Sequence, residues 1–471
     1  MSDRNFDHDL IVIGGGSGGY AAARTAAAEG LNVAIVEGGK EVGGLCILKG
    51  CMPTKALLYA GEIAHLAKES SVWGIHIPRY EADFQKVMAR KDFLIDDFAS
   101  FRREQLTDGR FTFIRDQARF SDPHTLELSS GKSITGKHIL IATGSVVSSP
   151  PLEDLSKLGY ITSNEALSLT KAPDSLIVLG GGAVAVELAQ FFQRIGTQVT
   201  LIQRSSTILK EFDSDAAQEV EKALEAEGMT LYTETNLLAA QMRDGKKEIQ
   251  FEHRGVSKSV AADEILMALG RSPNTSKLNL EAAGVETLKG RIKCNPQMQS
   301  TQAHIYAAGD CTGPYDVVHI AIQQGELAAH NILHPDQPKS IDYRQTLSVV
   351  FTEPQVGQTG ITEREAKAAG IDVRVASYPF NDHGKSMIMN AQYGFVKLIA
   401  DASTGEILGG TCVGPSGGEL IHEITVAMAT RMTVHDLARI PHYHPTLAEI
   451  WTYPAEDLAE EINIQADTTP Q

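Results

Sequence analysis

Short apolar runs alternate along this chain with stretches whose apolar residues recur every three or four positions, a pattern that predicts strands and helices in turn. Residues 9–13 read as a strand, 20–29 as an alanine-rich helix and 32–36 as a second strand. A helix carries the stretch 43–55 onward past Ala60, and another runs from about Tyr80 to Leu106. Alternating segments at 111–115, 125–128 and 133–135 predict a β-meander, with Asp122-Pro-His as a turn, ending in an apolar strand from His138 to Ala142. The pattern then repeats, as strand 175–179, a glycine turn, a helix to about Ile195 and strand 198–202, and this second unit closes with the apolar run from Ile265 to Leu269. Residues 305–308 form a further strand, and helical patterning returns from His319 to Leu333. From about Tyr343 the chain changes character. Strands are predicted at 373–378, 395–399 and 407–412, a hairpin loop at 401–405, and helices at 363–369 and 419–432, the first opened by a Thr362/Glu365 capping box.

Each repeat has glycines where a dinucleotide needs them. In the first, Gly14 makes the turn, Gly16 lets the backbone approach a pyrophosphate and Gly19 lets helix and strand pack closely. Ser17 and Gly18 complete the turn, and the helix N-terminus faces the phosphates. Glu37 stands about 20 residues on, where an acid accepts from ribose hydroxyls. The second repeat has Gly180, Gly182, Ala183 and Val184 in its turn. The spacing from Gly14 to Glu37 equals that from Gly180 to Gln203, so a neutral amide fills the slot of the acid. Arg204 follows, with Lys210 six beyond, and basic residues here accommodate a 2′-phosphate. NADP(H) is therefore expected over NAD(H).

Between these units Cys46 and Cys51 sit five apart where a loop enters a helix. Residues five apart in a regular helix have Cα atoms roughly 8–9 Å apart, and a disulfide needs less than about 7 Å. The pair can bridge only if the turn is distorted, and Gly50 supplies the freedom. A strained, accessible bridge is the labile, redox kind, and a helix N-terminus favours the thiolate once it opens. Two buried thiols or half a metal site are the other readings, and no further ligands follow at zinc spacing. Two dinucleotide units and a cysteine pair together suggest a relay from nicotinamide to flavin to disulfide.

Bulk properties fit an enzyme of about three domains. The chain has 471 residues and a formal charge of -17, which argues against nucleic acid or an anionic membrane as main partners. The first nine residues hold no apolar signal core, and no apolar run approaches the ~18 residues of a membrane span. Five cysteines do not make a disulfide framework, which suggests the cytoplasm. Cys294, Cys311 and Cys412 have no evident partner and read as small apolar fillers.

The motifs, taken in order, resemble the FAD-dependent pyridine nucleotide-disulfide oxidoreductases (class I) over essentially the whole length. This group includes dihydrolipoamide dehydrogenase, glutathione reductase and mercuric reductase. The resemblance is carried by Gly14 to Gly19, Cys46 to Cys51 with Lys55, Ala142-Thr143-Gly144, Gly180 to Ala185, the stretch 270–274, Ala308-Gly309-Asp310 and His444 to Glu449. It implies an α/β fold of two Rossmann-like three-layer dinucleotide-binding domains and a C-terminal α+β dimerisation domain. The FAD domain is expected at 1–150 and 278–342, the NAD(P) domain at 151–277 and the interface domain at 343–471.

The resemblance also implies roles. Cys51 is the flavin-side thiol, Cys46 exchanges with substrate, and Lys55 lies near the flavin paired with Glu187. Gly44, Ala118, Thr143, Gly144, Asp310 and His319 join the FAD contacts, and Gly270 the nicotinamide-nucleotide contacts. His444, oriented by Glu449, is the acid/base for the thiols, and it reaches the cysteines of the other subunit of a homodimer. The substrate is a small-molecule or protein disulfide or dithiol. Leu45, Leu48 and Lys49 depart from the usual residues around the cysteines, and Ala185 and Gln203 from NAD-using relatives. No cysteine follows Cys412, which disfavours a typical mercuric reductase. The alternative activity is FAD-dependent electron transfer to a quinone, metal ion or second nicotinamide, with dispensable cysteines.

Overall fold

The computed structural model describes residues 5–462, so the ends of the expected first and last domains lie outside the described residues. The chain divides into two compact units. One comprises Met1–Ala56, Met88–Ser149 and Gly270–Asp342, the other Leu57–Val87, Pro150–Leu269 and Tyr343–Gln471.

The first unit is built on the strand β1 (His8–Ile13), the helix α1 (Ser17–Ala28) and the strand β2 (Val33–Val36). β1 pairs in parallel with β2 on one side and with the strand Ser133–Ile141 on the other. That strand in turn takes Ile305–Ala307 in parallel, and β2 takes Thr112–Ile114. The parallel strands point the same way, so Gly14, Glu37, Ala142 to Gly144 and Ala308 to Asp310 emerge along one edge of the sheet. Ligands of doubly wound sheets sit beyond such carboxyl ends. The apolar residues of β1 and β2 are buried, as a sheet covered on both faces requires. α1 crosses the helix Val318–Leu333 where a Cβ at Gly325 would lie 2.2 Å from the Gly18 carbonyl oxygen, so only glycine permits that approach.

The second unit holds the repeat. Strands Thr230–Tyr232, Gln198–Ile202, Ser175–Leu179 and Glu264–Met267 form one parallel sheet in that order. An antiparallel sheet of Thr235–Arg243, Lys246–His253 and Val256–Ala262 accompanies it. The C-terminal region is a five-stranded antiparallel sheet, in which Ile407–Gly414 is central between Gln355–Gly360 and Phe395–Asp401, with Leu347–Val350 and Val373–Pro379 at the edges. The helix Gly417–Ala429 packs on it over a core that includes Phe380, Ile421, Ile424 and Trp451. The capping box predicted at Thr362 and Glu365 is present. No helix among the described residues is long and apolar enough to cross a membrane.

Candidate active site

In the first unit the sheet edge opens into a cavity of about 880 Å³, within the range of ligand sites. Its lining includes Gly14, Gly16, Glu37, Gly44, Ala118, Thr143 and Gly144, all residues the sequence assigns to a cofactor. Gly14 has φ +106°, and a Cβ there would lie 2.4 Å from the Ala142 carbonyl oxygen. Gly44 has φ +77° and brings its backbone onto that of Gly16, where a Cβ would sit 2.8 Å from the Gly16 Cα. No side chain caps α1 at Gly16, which leaves the positive end of its dipole for an anion. A bare backbone cradle at a helix N-terminus fits a pyrophosphate, so these residues fit FAD. Glu37 accepts hydrogen bonds from the backbone N–H of Gly15, at 2.9 Å, and of Gly39, at 2.6 Å. Ser17, Gly18 and Gly19 form the first turn of α1, and a Cβ at Gly19 would lie 1.9 Å from the Gly14 oxygen. That glycine is therefore fixed by helix–strand packing.

Asp310 accepts a 2.6 Å hydrogen bond from Ser145 Oγ, which itself accepts one of 2.8 Å from Arg271 Nε. Burial pushes the Asp310 carboxyl up. His319 stands in the first turn of Val318–Leu333.

The cysteines lie on two consecutive helices, α2 (Gly44–Lys49) and α3 (Cys51–Glu69). The break between them falls at Gly50, where a Cβ would lie 3.0 Å from the Leu45 carbonyl oxygen. Gly50 is thus favoured by close approach, its φ being -134°. Cys51 opens α3, where the macrodipole favours a thiolate. The thiols are hydrogen-bonded to each other across the break. The Cys46 thiol is pushed up, first by that hydrogen bond and then by burial, while Lys55 pulls it down.

In the second unit the glycine turn recurs in the same form. Gly180 has φ +115° and a Cβ there would lie 2.4 Å from the Ala268 oxygen. The helix Ala183–Arg194 starts from Gly182 without a side-chain cap and carries Val184 in its first turn. Gln203 packs beneath Gly181. Arg204 and Lys210 are exposed. Gly270, in the first unit, has φ +114° and open space at its Cβ. Glu187 is buried on the same helix and accepts a 2.9 Å bond from the Phe351 N–H. Lys55 lies on α3 in the first unit.

His444 and Glu449 are brought together, with Nδ1 at 2.8 Å from Oε1 and 3.1 Å from Oε2. A carboxylate only accepts, so Nδ1 carries the hydrogen and Nε2 presents a lone pair. The His444 side chain is 74 % exposed. The bond from His444 holds the Glu449 carboxyl below its usual range. His442 in the same loop has its own carboxylate, with Nε2 at 2.6 Å from Glu423 Oε1. Sequence reasoning missed His383, whose Nε2 lies 3.9 Å from Glu449 Oε2. Its sequence context, a loop histidine before a short helix, carries no spacing signal.

Cys294, Cys311 and Cys412 belong to the apolar cores. Burial pushes Cys294 up to about 12 and Cys311 to about 11, so both stay as neutral thiols near neutral pH.

Comparison with known proteins places these features in context. A model described as pyridine nucleotide-disulphide oxidoreductase matches residues 8–325, and that family's dimerisation domain matches residues 346–455. The mercuric reductase of Staphylococcus aureus is 35% identical over 452 residues, covering 95% of this chain and 82% of its own. The dihydrolipoyl dehydrogenase of Thermus scotoductus is 36% identical over 464 residues, covering 96% and 98%. Among solved structures, the HOCl-induced flavoprotein disulfide reductase RclA from Escherichia coli superposes with a TM-score of 0.84 at 26% identity, covering 95% of this chain and 99% of its own.

Proposed function

The chain belongs to the pyridine nucleotide-disulphide oxidoreductase family of flavin-dependent enzymes, and from that premise we propose that Cys46 and Cys51 reduce or oxidise a disulfide/dithiol substrate with NADP(H) as the nicotinamide partner. The observation that carries this reading is the thiol pair bonded across the helix break at Gly50, with Cys51 at the head of α3. FAD, in the domain formed by 1–150 and 278–342, supplies the two-electron link between the nicotinamide and the cysteines. Residues 151–277 would hold the nicotinamide nucleotide, with Arg204 and Lys210 available to a 2′-phosphate. Gly180, Gly182, Ala183, Val184, Gln203 and Gly270 would line its path, and the family resemblance gives Lys55 and Glu187 roles toward the flavin.

The family's dimerisation domain indicates a homodimer, in which residues 343–471 make the interface and His444 serves the cysteines of the other subunit. In the reductive direction His444 takes the Cys46 proton, and the resulting thiolate attacks one substrate sulfur. A mixed disulfide forms, and the first substrate thiolate leaves with a proton from His444. The Cys51 thiolate then attacks the Cys46 sulfur, which restores the Cys46–Cys51 bridge and releases the second thiolate. Two electrons and one proton have then passed to the substrate, whose second thiolate takes its proton from solvent. The cysteine usage supports a cytoplasmic location for this chemistry.

Cys46→Ser tests the reading. The variant is expected to keep its flavin, to be reduced by NADPH, and to lose turnover of lipoamide and glutathione disulfide by more than about 10²-fold. Parental disulfide turnover would reject it. Full quinone reduction by a Cys46→Ser, Cys51→Ser enzyme that has no disulfide activity to lose would favour electron transfer with dispensable cysteines.

A further inference from the structure

The Glu449 carboxylate is faced by a second imidazole besides that of His444. His383 is 1 % exposed and lies between the turns Phe380–Asp382 and Gly384–Ile388. Its Nδ1 is 2.8 Å from the hydroxyl of the fully buried Ser386, and its Nε2 is 3.9 Å from Glu449 Oε2. The Tyr453 ring stands edge-on to it at 6.2 Å. A neutral imidazole has one donor and one acceptor nitrogen. A lone pair aimed at a carboxylate oxygen is repelled, and an N–H is attracted. The Nε2–H tautomer is therefore the favoured one, with Nδ1 accepting from Ser386. Burial pushes His383 below its ordinary value, which keeps it neutral, and the charged or titratable groups facing it are Glu449, His444 and Tyr453.

We propose that His383, fixed by Ser386, is a positioning residue for the His444–Glu449 pair: its Nε2–H holds the Glu449 carboxylate and tempers the charge that sets the proton affinity of His444. The inference rests on the reading of His444 as acid/base. A hydrogen directed at a carboxylate weakens it as an acceptor. Without His383 the carboxylate bears more fully on His444, which becomes more basic. At 3.9 Å the contact is longer than a hydrogen bond, as such contacts often are before substrate binds.

The test is the pH profile of kcat/KM for disulfide turnover in the flavin-loaded enzyme. His383→Phe is expected to move the acid limb upward by roughly half a unit and to lower kcat about 3- to 10-fold, with KM little changed. His383→Gln puts an amide N–H near the place of Nε2 and is expected to return the limb most of the way. Ser386→Ala frees the tautomer and shifts the limb in the same direction by less. A parental limb in His383→Phe overturns the inference, and so do equal shifts in the Phe and Gln variants, which would mark a packing role only. If His383→Phe does not fold, a parental limb in Ser386→Ala overturns it. His444→Gln, measured alongside, separates the two readings. Parental turnover there removes both, whereas slow turnover there with an unmoved His383→Phe limb sinks the present inference alone.

Discussion

At Glu353 the chain places a carboxylate among Glu62, Arg194 and Glu227. The residue is partly exposed along its length, but its carboxylate is enclosed, and burial pushes it from 4.5 up to about 8, with Arg194 opposing and Glu62 and Glu227 adding. A raised folded-state value means that the native form holds this proton more tightly than the unfolded chain does. The cost of ionising it therefore grows as pH climbs from about 4.5 to about 8 and is constant above. Glu353→Gln cannot ionise. Its melting temperature is expected to gain on the parent's from pH 5 to pH 8 and then to hold its lead; equal melting at all pH values would contradict this. On the proposed reading, coenzyme choice turns on Arg204. Arg204→Glu is expected to lower kcat/KM for NADPH at least 10-fold and leave NADH within about 3-fold, as one charge-assisted contact of about 1.5–3 kcal/mol implies. Steady-state rates with both coenzymes check it. At this scale spacing pointed to the Cys46–Cys51 pair, while the His444–Glu449 pair came from the family resemblance, and the structure brings those two side chains together. His383 lies 66 residues before Glu449, and only the fold brings it there.

Among the elements, the glycine-headed helices and the parallel strands followed from pattern because turn, helix and strand all point to one solution. The same logic was available and unused between Ile202 and Ile265. Asp244-Gly245 and Arg254-Gly255 have φ values of 51° and 78° and of 51° and 78°, and each joins strands through a two-residue loop, Arg243 facing Lys246 and His253 facing Val256. Those are the left-handed pairs that favour tight hairpins. They escape notice because the flanking strands are largely polar, with Lys246, Lys247, Glu248 and Glu252 masking the period of two. The α2 entrance offers an element-scale test. Gly44→Ala must place a side chain at φ +77° and against the Gly16 backbone. A loss of about 1–3 kcal/mol is expected, together with purification of protein poor in flavin absorbance. Full flavin content would show that the cradle is not where the cofactor enters.

Taken whole, the second unit is fastened by a buried cation. Lys397, 2 % exposed on the strand Phe395–Asp401, lies 3.0 Å from Asp213, 2.7 Å from Asp215 and 3.7 Å from Glu363. Asp213 also accepts from the Glu363 and Arg364 N–H groups at the start of the helix Glu363–Ala369. One lysine thus ties the nucleotide-binding region to the C-terminal sheet. Lys397→Ala strands the nearly buried Asp213 and is expected to cost about 3–5 kcal/mol, seen as a lower denaturant midpoint; an unchanged midpoint would show that the cluster does not bear on stability.

The bare heads of α1 and of the helix Ala183–Arg194 reach beyond catalysis. A ligand held a thousand-fold above its dissociation constant adds about 4 kcal/mol to a fold. Stripped of those ligands the chain loses that increment, and limited proteolysis is expected to cut the ligand-free protein sooner than the loaded one.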